Sequence, residues 1–204
     1  MYVDLAFRLQ TAGSIPADHG YALYSGVSRF LPELHQEIGV AIHPICGRQI
    51  GDRRLALMPW SALTIRAPAD RIATLLRLAG KSIRINDAAV RVGVPEVRAL
   101  APSTALRSRL VVIKIAHAGA ADLTNAVFIA ATRKQMDDLG IGANAVLNVG
   151  KRRTLRLKQR EIVGYELLVE GLTPSASLDL QASGLGGKRH MGCGVFMGVG
   201  EPAT

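Results

Sequence analysis

One order of secondary-structure signals, met twice, constrains this chain more than any other feature. Val3, Leu5, Phe7 and Leu9 alternate with Asp4, Ala6, Arg8 and Gln10, the period of a strand with one buried face. After a loop with Gly13, Ser14 and Pro16, residues Leu23, Val27, Phe30, Leu31 and Leu34 recur at helical spacing. They predict an amphipathic helix over 18–36, with Asp18 as its N-cap. Extended pieces over 38–46 and 53–67 follow. Pro68 opens a second helix over 69–79, which Gly80 stops. Ile83 and Ile85, then Val90, Val92 and Val94, close this half near residue 95. The stretch 96–106, with Pro102, Ser103 and Thr104, reads as a linker.

The same order then returns. Leu110 to Ile115 is an apolar strand, and 122–139 is a helix stopped by Gly140. Extended segments over 145–158 and 161–170 come next. Thr173 and Pro174 start a short helix as N-cap and first helical residue, Gly184 ends it, and Val195 and Phe196 belong to a last strand. Strand-helix-strand-strand-helix-strand, twice, predicts an α+β chain of two tandem ferredoxin-like, RRM-like domains over 1–95 and 107–204. The 204 residues suit two domains of about 100 residues each. No residue-level repeat accompanies the architectural one.

Composition narrows the function. At 49% hydrophobic residues the chain can bury a core, which rules out global disorder. Twenty-five Lys and Arg against 16 Asp and Glu leave a net charge of +9, which points to a polyanionic partner, nucleic acid or an anionic membrane first, the alternative being a merely basic soluble protein. No apolar run approaches the ~18 residues of a membrane-spanning helix, and the first ten residues lack the apolar centre of a signal peptide. No membrane partner is expected. Two cysteines, Cys46 and Cys193, make no disulfide framework and fit a reducing cytoplasm. Aromatics are 4% of the chain, too few for base stacking to dominate RNA binding.

Two segments concentrate chemistry. Residues 151–160 hold Lys151, Arg152, Arg153, Arg156, Lys158 and Arg160. Arg156 and Lys158 alternate with Leu155 and Leu157, so one face of a strand is basic. The repulsion along it makes sense if a polyanion offsets it; the alternative is a solvated hairpin. Residues 184–194 hold five glycines, with Lys188, Arg189 and His190 among them. A Walker loop fails there at Ala182 and Arg189, and a dinucleotide fingerprint fails at Arg189 or Met197. The segment reads as a backbone cradle for phosphate, or else as a tight turn.

The histidines are His19, His35, His43, His117 and His190. None stands at zinc-ligand spacing, no His-Glu-x-x-His or Gly-x-Ser-x-Gly occurs, and neither a metal nor another cofactor is expected. RNA carries its own nucleophile, the 2′-hydroxyl. One His, a hydroxyl and a basic side chain therefore suffice for a metal-free ribonuclease.

These residues resemble the CRISPR-associated repeat-RNA endoribonucleases of the Cas six family, and most closely a short variant from type I systems. The resemblance runs along nearly the whole chain. It is carried by Ile15-Pro16-Ala17-Asp18-His19-Gly20-Tyr21-Ala22-Leu23-Tyr24, by Ile42-His43-Pro44-Ile45-Cys46-Gly47, and by the glycine-rich segment ending at Phe196. It implies tandem ferredoxin-like domains and a metal-independent cut within CRISPR repeat RNA, leaving a 2′,3′-cyclic phosphate and a 5′-hydroxyl. It also implies retention of the product RNA and further partners among CRISPR effector subunits.

The resemblance implies a His base shortly after the first helix, where His43 falls. It implies help from a Tyr or Ser on that helix, here Ser28 with Tyr24 one turn earlier, and a basic residue soon after the His, here Arg48. Members with the His inside the first helix leave His19 and His35 open. His117 reads as a packed strand residue. The expected RNA contacts are Lys151, Arg152, Arg153, Arg156 and Lys158 together with Gly186, Gly187, Lys188, Arg189 and His190. Two other classes compete: a non-catalytic RNA-binding subunit of a CRISPR complex, and a general RNA-binding module.

Overall fold

The alternation at the N-terminus becomes the central strand of a sheet. In the computed structural model, which describes residues 1–10, 13–35, 39–114, 123–141 and 144–200, the chain divides into two units, Met1–Ala99 and the residues from Leu100 on. The first unit contains β1 (Tyr2–Leu9), β2 (Ser14–Pro16), α1 (Gly20–Ser28), β3 (Ala41–Ile42), β4 (Arg48–Gln49) and β5 (Arg54–Ala56). It continues with β6 (Ala62–Pro68), α2 (Ile72–Leu75), β7 (Ser82–Ile85) and β8 (Ala88–Ala99). Its main sheet runs in the order β3-β6-β1-β8-β7, and a small sheet runs β2-β5-β4. All neighbours in the main sheet are antiparallel. With β7 set aside as an added edge, this is the ferredoxin-like order.

Val3, Leu5, Phe7 and Leu9 turn inward with Ile65, Leu63, Val90 and Val92, and Leu23, Val27, Leu31 and Leu34 complete that core. Burial of these side chains, at about 25 cal/mol per Å² of apolar surface, supplies the main drive for the layer packing. Gly26 sets how closely α1 approaches the sheet: a Cβ there would lie 2.5 Å from Ile83 Cγ2 and 2.7 Å from the Arg84 carbonyl oxygen.

Several predicted boundaries change, and the helix predicted over 69–79 is α-helical only at Ile72–Leu75, between 3-10 turns at Ala69–Arg71 and Leu76–Leu78. The first helix ends at Ser28 rather than 36, and a separate 3-10 turn covers Pro32–His35. Pro32 has no N–H to continue the ladder, and it disfavours helical φ/ψ at Leu31. The N-cap position of α1 is His19, with no side-chain cap, rather than Asp18. The predicted linker is largely strand: Ala6, Leu5, Asp4 and Val3 pair with Glu96, Val97, Arg98 and Ala99, and the next strand begins at Ala105. An unpaired β1 edge would waste its ladder bonds, so β8 extends to fill it.

The second unit contains β9 (Ala105–Val111), α3 (Asn125–Asp138), β10 (Val146–Leu157), β11 (Arg160–Glu170), α4 (Pro174–Ser183) and β12 (Met197–Gly198). Its sheet order, β10-β11-β9-β12, is again ferredoxin-like. Phe128, Met136, Tyr165, Leu167, Val169, Leu180 and Phe196 build its core. Thr124 and Thr173 cap the two helices by accepting from the Val127 and Ala176 N–H groups. Pro174 follows the second cap, and Gly184 closes α4 at φ 63°. Val195 and Phe196 are buried just before β12 rather than in it. His117 lies outside the described residues. Among those described, no helix is long and apolar enough to cross a membrane.

Candidate active site and basic surface

In the first unit the expected catalytic residues go to three different places. His19 is 2% exposed. Its Nδ1 lies 2.9 Å from the Pro16 carbonyl oxygen, and its Nε2 accepts from the Ile45 N–H at 2.9 Å. A carbonyl can only accept and an amide N–H can only donate, so the ring is neutral with its proton on Nδ1. Both nitrogens are engaged within the fold. His19 pins the start of α1 to the segment after β3, and the role of base does not fit it.

His43, just past β3, is 3% exposed. Its backbone N–H donates to the Thr64 carbonyl, and its Nε2 stands 3.5 Å from Asp4 Oδ1. Arg66, itself 2% exposed, holds the same carboxylate bidentately, with Nε to Oδ1 and Nη2 to Oδ2 both at 2.8 Å. Burial alone would raise the Asp4 pKa; the bonds and charges of His43 and Arg66 outweigh it and hold the carboxyl far below the usual range. Asp4 and Arg66 face each other across β1 and β6. His43 is thus part of an internal ion network, and both its ring nitrogens are buried.

Ser28 is 7% exposed, and its hydroxyl donates back to the Tyr24 carbonyl at 2.8 Å within α1. Arg48 lies exposed on β4. The half-buried Tyr24 meets the exposed His35. The Tyr24 hydroxyl is 2.5 Å from His35 Nδ1, and the two rings meet edge to face, 5.3 Å apart and 83° inclined. Tyr24 leans on the core from α1. His35 closes the 3-10 turn that Pro32 starts, is exposed, and is bounded by Arg77 bonding Glu33 and the Phe30 carbonyl. An imidazole with one nitrogen oriented by a hydroxyl has the other available to act as a general base.

In the second unit the basic segment forms β10 and its turn into β11. Lys151, Arg152 and Arg156 are exposed. Lys158 is not a strand residue, as the alternation predicted, but the first turn residue, at φ 55°. Arg153 is held inward: its Nη2 bonds Glu166 Oε2 at 3.1 Å, and Arg107 bonds the other oxygen of the same carboxylate.

The glycine-rich segment is not the predicted phosphate cradle. The Gly186 N–H donates to Gln135 Oε1 at 2.8 Å, Gly187 to the Val112 carbonyl at 2.9 Å, and Gly194 to the Leu110 carbonyl at 2.7 Å. A Cβ at Gly186 would lie 2.2 Å from the Val112 oxygen, and one at Gly194 1.9 Å from the Leu185 oxygen. The glycines allow the segment to lie flat against the end of β9, where Cys193 packs on Leu110 and Leu155. Arg189 donates to the Ala182 carbonyl at the end of α4. His190 is half-buried, and Lys188 is exposed at φ 64°.

Over residues 3–201 the chain matches the family model described as Cas6 Crispr. The chain belongs to the Cas6 family. It is similar to the CRISPR-associated endonuclease Cas6 of Myxococcus xanthus (strain DK1622), 36% identical over 203 residues, covering 100% of this chain and 84% of that one. It shares its fold with a solved CRISPR-associated protein Cas6, at TM-score 0.69 and 16% identity, covering 98% of this chain and 99% of that one. It also shares it with a Cas6-related protein from Pyrococcus furiosus, at TM-score 0.67 and 15% identity, covering 99% of each.

In this Cas6 protein two features, one in each unit, are harder to see in the sequence than in the fold. His35 was one of several open histidines; its signal was Pro32, which turns the chain so that Tyr24 and His35, eleven residues apart, meet. Arg107 and Arg109, both exposed on β9, were overlooked beside the denser run at 151–160, although Leu106-Arg107-Ser108-Arg109-Leu110 alternates plainly.

Proposed function

We propose that this Cas6 protein is an endoribonuclease that cuts the repeat RNA of CRISPR transcripts without a metal ion, by attack of the RNA's own 2′-hydroxyl. The observation that carries the mechanism is the exposed Tyr24–His35 pair, in a unit whose other two described histidines are engaged in the interior. Nδ1–H of His35 donates to the Tyr24 oxygen, which leaves the Nε2 lone pair outward. Nε2 takes the 2′-hydroxyl proton, and the 2′-oxygen attacks the adjacent phosphorus. The P–O5′ bond breaks, and the leaving oxygen takes a proton from water. The products carry a 2′,3′-cyclic phosphate and a 5′-hydroxyl. The net charge of +9 and the exposed cations of β10 hold the RNA and favour retention of the guide product, on which CRISPR effector subunits would assemble.

The test is incubation of the protein with its host's repeat RNA in excess chelator, with both new ends mapped. Cleavage with a cyclic phosphate is expected. Binding without cleavage would instead favour the non-catalytic RNA-binding subunit.

A further inference from the structure

In the second unit, register places Arg107, Arg153 and Glu166 on one face of the sheet. Arg107 pairs with Leu168 and Arg153 with Gly164, both two residues from Glu166 along β11, while Leu106, Leu167 and Val169 turn to the opposite, helix-covered core. We propose that Arg107, Arg109 and Arg153, gathered around Glu166 on this face, form a binding site for a phosphodiester group of the RNA. The proposal rests on the reading of the protein as an RNA-cutting enzyme and adds to it a site of RNA contact in the second unit.

The charge balance is the first argument. Arg107 and Arg153 each give one bond to a different oxygen of the Glu166 carboxylate. One carboxylate cancels one of three guanidinium charges and leaves two in excess. Arg109 has no acidic partner among the described residues. Such crowding destabilises the face unless an anion joins it. Burial, then the charges of Arg109 and Arg107, makes the Arg153 guanidinium easier to deprotonate, as a cation short of counter-charge should be.

The second argument is orientation. The Glu166 side chain is only 9% exposed, whereas those of Arg107 and Arg153 are 60% and 33% exposed. The carboxylate lies beneath and the guanidinium edges reach the surface. A guanidinium has five N–H donors in a fixed plane, so each arginine keeps donors for a second acceptor after bonding Glu166. That geometry suits the bidentate hold of a phosphate. Gly150 gives the carboxylate its berth, since a Cβ there would lie 3.1 Å from Glu166 Cγ. Glu166 thus aims two of the three arginines before any ligand arrives.

The test measures affinity against salt for a labelled repeat RNA carrying 2′-O-methyl groups throughout, which cannot be cut. Each lost phosphate contact flattens the log–log slope by about 0.7 for a single strand. Arg109→Gln, which breaks none of the internal bonds described above, should flatten it by roughly that amount and weaken binding several-fold, with the melting temperature unchanged. Arg107→Gln/Arg109→Gln should flatten it by roughly twice as much. Wild-type cleavage of ordinary repeat RNA in chelator is measured alongside. An unaltered slope for folded Arg109→Gln, with cleavage normal in the wild type, would overturn this site alone. A flattened slope with no cleavage by the wild type would support the site and overturn the cutting reading instead.

Discussion

The hydroxyl of Tyr24 and Nδ1 of His35 stand 2.5 Å apart, one on α1 and the other at the close of the 3-10 turn that follows it. General acid–base help is typically worth 10²–10⁴-fold in rate. His35→Ala should slow single-turnover cleavage of repeat RNA by roughly that factor and leave RNA affinity within a few fold. Tyr24→Phe removes the hydroxyl that fixes the ring and should cost less. Full activity in folded His35→Ala would remove this pair from the mechanism.

Asp4 governs a separate, acid-sensitive part of the stability. Its carboxyl is held below the usual range in the folded chain, because His43 and Arg66 outweigh the effect of burial. A depressed carboxylate contributes stability that is present above the unfolded pKa, about 4, and is lost as pH falls towards the folded value. Chemical denaturation between pH 7 and pH 3 should therefore show stability falling on the acid side. Asp4→Asn should flatten that fall. At pH 7 the same change leaves Arg66 buried without its counter-ion and should cost about 3–5 kcal/mol.

The glycines of the 184–194 segment should separate sharply on substitution. Gly194 combines φ 64° with a Cβ position 1.9 Å from the Leu185 oxygen, whereas a Cβ at Gly187 meets nothing within 4 Å. Gly194→Ala adds a left-handed penalty of about 1–2 kcal/mol to an overpacking cost of about 1–3 kcal/mol. Gly187→Ala should stay within about 0.5 kcal/mol of the parent. Thermal melts of the two variants decide the matter; equal losses would mean that the segment is held in some other way.

Lys158 should be replaceable at a gain. It occupies the first turn position between β10 and β11 at φ 55°, where a residue with a Cβ pays and glycine does not. Lys158→Gly should raise stability by about 0.5–1 kcal/mol, the left-handed cost less glycine's extra unfolded freedom. A melting temperature that falls would show that the Lys158 side chain holds the turn.

Much of the fold was legible because period-two and helical spacings record which side of an element is buried. Leu5 and Phe7 against Asp4 and Ala6 revealed β1, and Thr173-Pro174 with Gly184 bounded α4 to the residue. The candidate site was less legible because residue type does not record burial. His19, His35 and His43 look alike as letters, and only the fold makes the first a pin, the second a surface group and the third a buried neighbour of Asp4. The glycine-rich segment misled for a related reason. Glycine serves equally where backbone approaches a ligand and where it approaches other backbone, and here the Val112 and Leu185 oxygens occupy the space.

The small cluster of Cys193, Leu110 and Leu155, with Ile162 and Met191 against it, ties the 184–194 segment to a point far upstream. Leu155 and Ile162 are cross-strand partners near the tip of the β10–β11 hairpin, while Cys193 arrives only after α4 has been laid down. The late segment therefore works as a fastener for the hairpin. The basic tip stays unclasped until the 184–194 segment, which follows it in the chain, has folded against it, and proteolytic trimming within 184–194 would loosen the tip without cutting it.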